Sequence, residues 1–427
     1  MRCRPFLLSA LFLLSVNAAN PAWAVSRPRA QPDVAIKGPV GPAWLANEGR
    51  AALALLDLLE TSNVDGLDPA VYRPAELRRA LRRGLRGSQK TRAKAAAQFS
   101  NVFARYAADV VRPRETSTVY VDPAARPRPV STQRLIVVAA GAPQFDEFIR
   151  SMGWMHPYYG RLRQALQSEL EKGGGRVPLL RLNLERARVL PRGPEAAIVV
   201  NTAAAQLELF EDREVRDRMR VVVGETAQQT PMMAGLIRYA ILNPYWHVPP
   251  DLTRKNIAPR VLKEGMKYFR SRGYQVVSEW SRDARVIPET SIDWKAVARG
   301  DKEIFVRQLP GPANGMGEVK FMFPNDMGIY LHDTPAKGLF AKEERQFSAG
   351  CVRLEDADRL KKLLLGDLQL TRSKKPEQII NLPKPVPVYL TYMTAFPQDG
   401  RIVERPDVYG RDRAVLIDQG RSRPSSG

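Results

Sequence analysis

The chain has 427 residues, 44% of them hydrophobic, enough for two ordinary cores, and its 66 Lys and Arg against 45 Asp and Glu give a net charge of +21. Two cysteines and three scattered histidines exclude a disulfide-built fold and an H-E-x-x-H zinc site. Nucleic acid is the usual partner of such a charge, but the N-terminus reads as an export signal, which leaves envelope polyanions or plain solvent facing the basic surface.

Arg2 and Arg4, the apolar residues 6–16 and Ala22-Trp23-Ala24 compose a secretory signal over residues 1–24. Its apolar run is too short to stay in a bilayer as an anchor, and no later stretch has the needed length, so no transmembrane anchor is expected after the signal is removed. Cys3 precedes the apolar run, which argues against a lipoprotein and leaves Cys351 as the single cysteine of the exported chain. Residues 25–43, rich in Pro, Gly and Arg, form a flexible lead-in.

Helical spacing follows at 51–59, at 74–87 and at 90–112. The second carries a basic stripe of Arg78, Arg79, Arg82, Arg83 and Arg86; the third has an apolar stripe of Phe99, Val102, Phe103, Tyr106, Ala107 and Val110 and stops at Pro113. A further helix over 157–172 is broken by Gly173-Gly174-Gly175. Residues 44–180 are therefore expected to be an α-helical domain.

Beyond residue 182 the period becomes two, at 205–209, 220–223, 318–323 and 385–392, which predicts short strands. Residues 247–317, rich in Pro, Gly and charge, look like an insertion or lid with few strong strands. The expected class is α+β: a mostly β catalytic domain over 181–418 with that lid, preceded by the helical domain, with 419–427 a disordered tail.

Cys351 stands in Ser348-Ala349-Gly350-Cys351-Val352-Arg353, and His332 ends the run Ile329-Tyr330-Leu331-His332 nineteen residues earlier. Alternation turns Tyr330 and His332 to one side and Ile329 and Leu331 to the other. Residues 355–365 pattern as a helix, which puts Cys351 just before a helix N-terminus that would favour its thiolate. Gly350 lets backbone N–H groups at 350 and 351 approach an oxyanion. A lone thiol with a histidine and a glycine beside it has the parts of a cysteine nucleophile, the bland alternative being an inert buried cysteine. Activity is then expected to fall in acid as His332 becomes cationic.

These residues carry a family resemblance. Phe323-Pro324-Asn325, Ile329 through Pro335, Arg345 and Ser348 through Arg353 resemble the YkuD catalytic motif of L,D-transpeptidases. Gly66-Leu67-Asp68-Pro69 with Tyr72, Asn183-Leu184-Glu185-Arg186, Thr230-Pro231, Asn243-Pro244 with Trp246, and Val408 through Asp412 resemble its long, YcbB-like branch. The resemblance implies a β-sandwich-like catalytic domain on a helical scaffold. It also implies a cofactor-free periplasmic enzyme whose partners are peptidoglycan tetrapeptide stems, as donor and as acceptor. Cys351 would attack the carbonyl between the third residue and the terminal D-Ala, release D-Ala, and pass the acyl group to another stem as a 3→3 cross-link. The same resemblance makes His332 the base, the Asp333 carbonyl its orienting partner, Gly350 an oxyanion donor, and Arg353, Tyr330, Asn325 and Ser348 substrate-binding candidates. It implies too that carbapenems trap the cysteine. Ala349 stands where this family usually has a polar residue. The short step from Gly175 to Asn183 leaves no room for a peptidoglycan-binding module.

Other readings stay open from sequence. Water as acceptor gives an L,D-carboxypeptidase, and an envelope protein's amine gives attachment of that protein to peptidoglycan. Papain-like peptidases place Cys before His, the reverse of the order here. A catalytically inactive wall-binding scaffold is the non-enzyme reading.

Overall fold

The computed structural model describes residues 41–112, 114, 116–127, 131–281, 283–366 and 375–421. The signal peptide, nearly all of the lead-in and residues 422–427 of the tail lie outside them, while 419–421 close a helix, Arg411–Arg421. Among the described residues no helix is long and apolar enough to cross a membrane.

Among the described residues seven α-helices come before residue 190: α1 (Arg50–Glu60), α2 (Pro74–Arg86), α3 (Gln89–Val111), α4 (Thr132–Ala140), α5 (Phe145–Arg150), α6 (Pro157–Lys172) and α7 (Val177–Arg188). Pro74 sits in the first turn of α2, where its missing N–H is not needed, and Leu77, Ala80, Leu81 and Gly84 are the buried side. Ser88 caps α3 by accepting from the Thr91 N–H, and Phe99, Phe103, Tyr106, Ala107 and Val110 are buried as their spacing predicts. Gly173, at φ +65°, ends α6 in the left-handed conformation that glycine adopts without strain. These apolar faces share one core around Trp44, Phe99 and Tyr159. Inside it the Asp65 carboxylate accepts from Tyr106 (2.8 Å), Tyr159 (2.9 Å) and Arg163 (2.9 Å), so the buried charge is fully partnered.

The sheet is built from β1 (Val119–Tyr120), β2 (Ala197–Asn201), β3 (Gln206–Glu211), β4 (Glu214–Gly224) and β5 (Met233–Leu242). The inserted segment, called the lid after its expected role, then supplies β6 (Trp246–Val248), β7 (Tyr274–Val277), β8 (Val286–Ile287) and β9 (Phe305–Gln308). The chain returns through β10 (Val319–Met322), β11 (Leu331–His332), β12 (Gln346–Ser348), β13 (Val352–Leu354) and β14 (Gln378–Thr391). The main order is β5-β10-β11-β13-β4-β3-β2-β14, and β14 pairs again with β5, closing a ring. The ring differs from the expected sandwich-like arrangement because β14 is long enough to serve two neighbours. Its pairing with β5 breaks between Asn381 and Val386, where Pro383 and Pro385 withhold N–H donors and the strand bends.

One side of these strands, including Val221, Val319, Phe321, Phe323, Leu331, Val352 and Leu354, forms the catalytic-domain core. On other strands the opposite side, including Val199, Phe210, Ala234 and Tyr389, joins the helical core. The helical region also lends β1 to the sheet, in parallel with β5.

The lid is more ordered than its composition suggests. Its strands form a four-stranded sheet, β6-β9-β7-β8, packed on helices Ala258–Glu264 and Trp294–Arg299 around Phe269, Val276 and Val306. Strands of two to four residues are too short for alternation to show in the sequence.

Candidate active site

The site follows from strand register. β11 runs parallel to β13 with Leu331 opposite Val352 and His332 opposite Arg353, and antiparallel to β10 with Lys320 opposite His332. Because alternate residues share a face, Leu331 and Val352 enter the core while Tyr330, His332, Cys351, Arg353 and Lys320 stand together on the other face. Ile329 packs in the core, as alternation requires.

His332 is buried, and its Nδ1 lies 2.5 Å from the Asp333 carbonyl oxygen. The carbonyl can only accept, so Nδ1 carries the proton and Nε2 keeps its lone pair. The Asp333 carboxylate is itself held, accepting from the Glu318 N–H (3.0 Å) and from Lys337 Nζ (2.7 Å). Burial, followed by the charges of Arg353 and Lys320, pushes the imidazole down to about 3. The ring is therefore neutral at ordinary pH, and the fall in activity moves far below the ordinary imidazole range.

Cys351 is half-buried and makes no disulfide. Its thiol contacts the Gly328 carbonyl oxygen at 3.4 Å. Burial pushes the thiol up to about 11, and hydrogen bonds from Tyr330 together with the Arg353 charge offset only part of that. This corrects the expectation of a thiolate at a helix start. Residues 352–354 are taken into β13, and the helix begins at Ala357 with Asp356 as its cap, so its N-terminus is not at the sulfur. Thiol and imidazole rest as a neutral pair, and among the described residues no hydrogen bond joins them. Catalytic hydrogen bonds are often long before substrate binds.

The loop before the cysteine is built from its own side chains. Gly350 has φ +108°, which favours glycine, and a Cβ there would also crowd Ile329 Cδ1 at 3.2 Å. The Gly350 N–H donates to Ser348 Oγ (3.2 Å), and Ser348 Oγ donates to the Cys351 carbonyl (2.5 Å). The expected oxyanion donor at Gly350 is thus already engaged, whereas the Cys351 N–H has no hydrogen bond among the described residues. Ser348 is buried and spends its hydroxyl on the loop, not on substrate. Thr230 Oγ1 donates to the Gly350 carbonyl (2.8 Å) and accepts from the Gly224 N–H (2.8 Å), fastening the loop to β4.

Asn325 likewise acts on backbone. Its amide donates to the carbonyls of Phe323 (2.8 Å) and Ile329 (2.7 Å) and accepts from the Ile329 N–H (3.1 Å), which shapes the turn that presents the Gly328 carbonyl to the thiol. The loop is braced by Arg345, whose guanidinium reaches the carbonyls of Val221, Lys342, Glu343, Ala204 and Ala205 at 2.8–3.2 Å. The Arg353 side chain, half-buried beside the thiol, has no hydrogen bond or ion pair among the described residues. Tyr330 packs its ring 5.7 Å from the His332 ring, and burial and the neighbouring cysteine raise its hydroxyl far above its ordinary range.

Sequence reasoning missed Lys320 and Glu377. Lys320 is only 8% exposed; its Nζ lies 3.6 Å from Glu377 Oε1 and 6.0 Å from the centre of the Tyr330 ring. Glu377 also accepts from the Tyr245 N–H (2.7 Å) at the root of the lid, so one carboxylate ties lid and catalytic face together. The signal was present in the alternation of 318–323, which turns Lys320 away from Val319 and Phe321, but only the register with β11 gives it a neighbour.

Residues 195–387 match the L,D-transpeptidase catalytic domain, YkuD, and residues 40–166 match the Scaffold domain. The chain therefore carries a Scaffold domain followed by a YkuD L,D-transpeptidase catalytic domain, an arrangement consistent with a YcbB-like enzyme. It is 31% identical over 284 residues to a protein of Haemophilus influenzae (strain ATCC 51907 / DSM 11121 / KW20 / Rd) whose name is "Putative L,D-transpeptidase". The match takes in 64% of this chain and 56% of that relative, so the chain spans about half the length of the protein it matches.

Proposed function

We propose that the protein is an exported peptidoglycan L,D-transpeptidase that makes 3→3 cross-links through an acyl-Cys351 intermediate. The observation that carries this reading is the register that brings His332, Cys351 and Arg353 onto one face, with His332 Nδ1 committed to the Asp333 carbonyl. Nε2 is left free to take the thiol proton as sulfur attacks the stem carbonyl. Because both groups rest neutral, proton transfer accompanies attack instead of preceding it. The Cys351 N–H then meets the oxyanion. The proton returns from Nε2 to the departing D-Ala amine, leaving a thioester. The side-chain amine of a second stem attacks that thioester, His332 again accepting a proton, and the thiol is restored. The unpaired Arg353 guanidinium suits a carboxylate of the donor stem.

In this reading residues 1–24 are removed on export and the protein works in the periplasm, where carbapenems would acylate Cys351. The test is incubation of purified tetrapeptide muropeptides with the parent protein and with Cys351→Ala, followed by fragmentation mass spectrometry. A dimer linked between two third residues, made by the parent alone, supports the assignment. Tripeptide as sole product points to a carboxypeptidase or a missing acceptor, and absence of any acyl-enzyme overturns the catalytic reading.

A further inference from the structure

The lid holds a second concavity, apart from the catalytic face. Its volume is about 490 Å³, within the size range of small-ligand sites. Trp246, Tyr268 and Tyr274 supply aromatic wall, and Lys255, Asn256 and Arg260 supply the polar groups. The residues on β6 separate the two sites. His247 lies near Lys320 and Glu377, whose charges act on it, while its neighbours Trp246 and Val248 turn to the other side and line the groove.

The polar wall is built on an unusual turn. Thr253–Ile257 is π-helical, a form that occurs mostly as single turns and often at functional sites, and it carries Lys255, Asn256 and the buried Ile257. Lys255 is loosely held, whereas Arg260 is already paired and would have to share its charge with a ligand. Lys255 Nζ is 3.9 Å from Asp251 at the pair's nearest approach, and Arg260 shares itself between Glu264 (3.1 Å) and the face of Tyr268 (4.9 Å). The Asn256 side chain makes no hydrogen bond among the described residues.

We propose that this groove binds an acidic amino-sugar segment of the glycan. The apolar C–H face of a pyranose matches the π face of an aromatic ring, and a carboxylate matches Lys255 and Arg260. An acetamido group needs both a donor and an acceptor, which Asn256 provides. This rests on peptidoglycan being the substrate. A muramic carboxylate is free only where no stem is attached, so the groove takes a peptide-free stretch of the strand, beside the stems that Cys351 processes, in a chain whose sequence leaves no room for a separate binding module between residues 175 and 183.

The test uses the full exported chain carrying Cys351→Ala, so that nothing turns over, titrated by calorimetry. One probe is a peptide-free tetrasaccharide of alternating N-acetylglucosamine and N-acetylmuramic acid, with free carboxylates; the other is neutral chitotetraose. The acidic sugar is expected to bind about tenfold more tightly than the neutral one, the effect of one good charge-assisted contact. Lys255→Ala with Arg260→Ala, both exposed and safe for folding, should abolish that difference, and Asn256→Ala should weaken both sugars. Binding of neither sugar, equal binding of both, or a double variant that binds like its parent overturns the proposal. So does an isolated stem tetrapeptide that binds with the same dependence on Lys255 and Arg260. Acylation of Cys351 by tetrapeptide is read separately by intact mass. Acylation without sugar binding sinks the groove alone, and sugar binding without acylation sinks the catalytic reading alone.

Discussion

Lys320 on β10 and His332 on β11 stand directly opposite each other in an antiparallel pair, and the lysine's charge helps to keep the imidazole neutral after burial and Arg353 have done most of that. Removing the charge raises the proton affinity of His332, so the acid limb of kcat/KM moves upward from about 3. Lys320→Met with Glu377→Gln is the suitable variant, since it leaves no carboxylate without its partner and keeps an oxygen for the Tyr245 N–H. The rate at neutral pH should change only a few-fold, because the base is neutral there in both proteins. An unmoved acid limb would show that Lys320 does not act on His332.

Two buried histidines should make the fold acid-sensitive well above the carboxylate range. Burial lowers both His156 and His332 from 6.5 to about 3. Between those values the unfolded chain binds protons that the folded protein refuses, so stability is full above 6.5 and is lost as pH falls. Each ring contributes up to about 1.4 kcal/mol per pH unit in that window. His156 also caps α6, its Nδ1 accepting from the Tyr158 N–H at 3.2 Å, while its buried Nε2 has no hydrogen-bond partner among the described residues. His156→Asn keeps a cap and removes the titration. Denaturant unfolding between pH 6.5 and 5 should show a clearly smaller histidine slope than the parent's, the remainder coming from His332 and the partly buried His247, and identical slopes would rule out the assignment.

Arg345 should matter more to folding than to chemistry. It holds carbonyls from β4, from the turn at 204–205 and from its own loop; of these, Ala205 keeps a second donor in the Val221 N–H. Arg345→Met is expected to destabilise by about 2–3 kcal/mol, the penalty for leaving such acceptors unpaired. Arg353→Met, which breaks no hydrogen bond or ion pair among the described residues, should leave stability within about 0.5 kcal/mol and raise KM for the donor stem. Equal losses of stability in the two variants would contradict this division of roles.

What the sequence made legible is local. The stripe on α3, the glycine stop of α6 and the alternation of 329–332 depend on residues a few positions apart, and each took the expected form. What it hid depends on partners far along the chain. The helix expected from 355 begins at Ala357 because β11 and β4 claim 352–354 between them. Asn325 and Ser348 looked available for substrate until their hydrogen bonds to the loop backbone were seen. Nothing near Cys351 in sequence reports how far its thiol is buried.

That burial gives the most direct chemical prediction. A thiol pushed up to about 11 stays protonated at neutral pH. Iodoacetamide attacks only thiolate, so alkylation of Cys351 should keep rising about tenfold per pH unit through pH 9, where an ordinary cysteine has begun to level off. Arg353 is one of the groups that favour the thiolate, so Arg353→Met should slow alkylation at every pH below the plateau. It should also move the acid limb of kcat/KM upward, because the same guanidinium disfavours His332 cation. Both shifts come from one charge and should appear together. A fast, pH-independent alkylation at pH 6 would mean a preformed thiolate–imidazolium pair and would replace the concerted proton transfer proposed for His332.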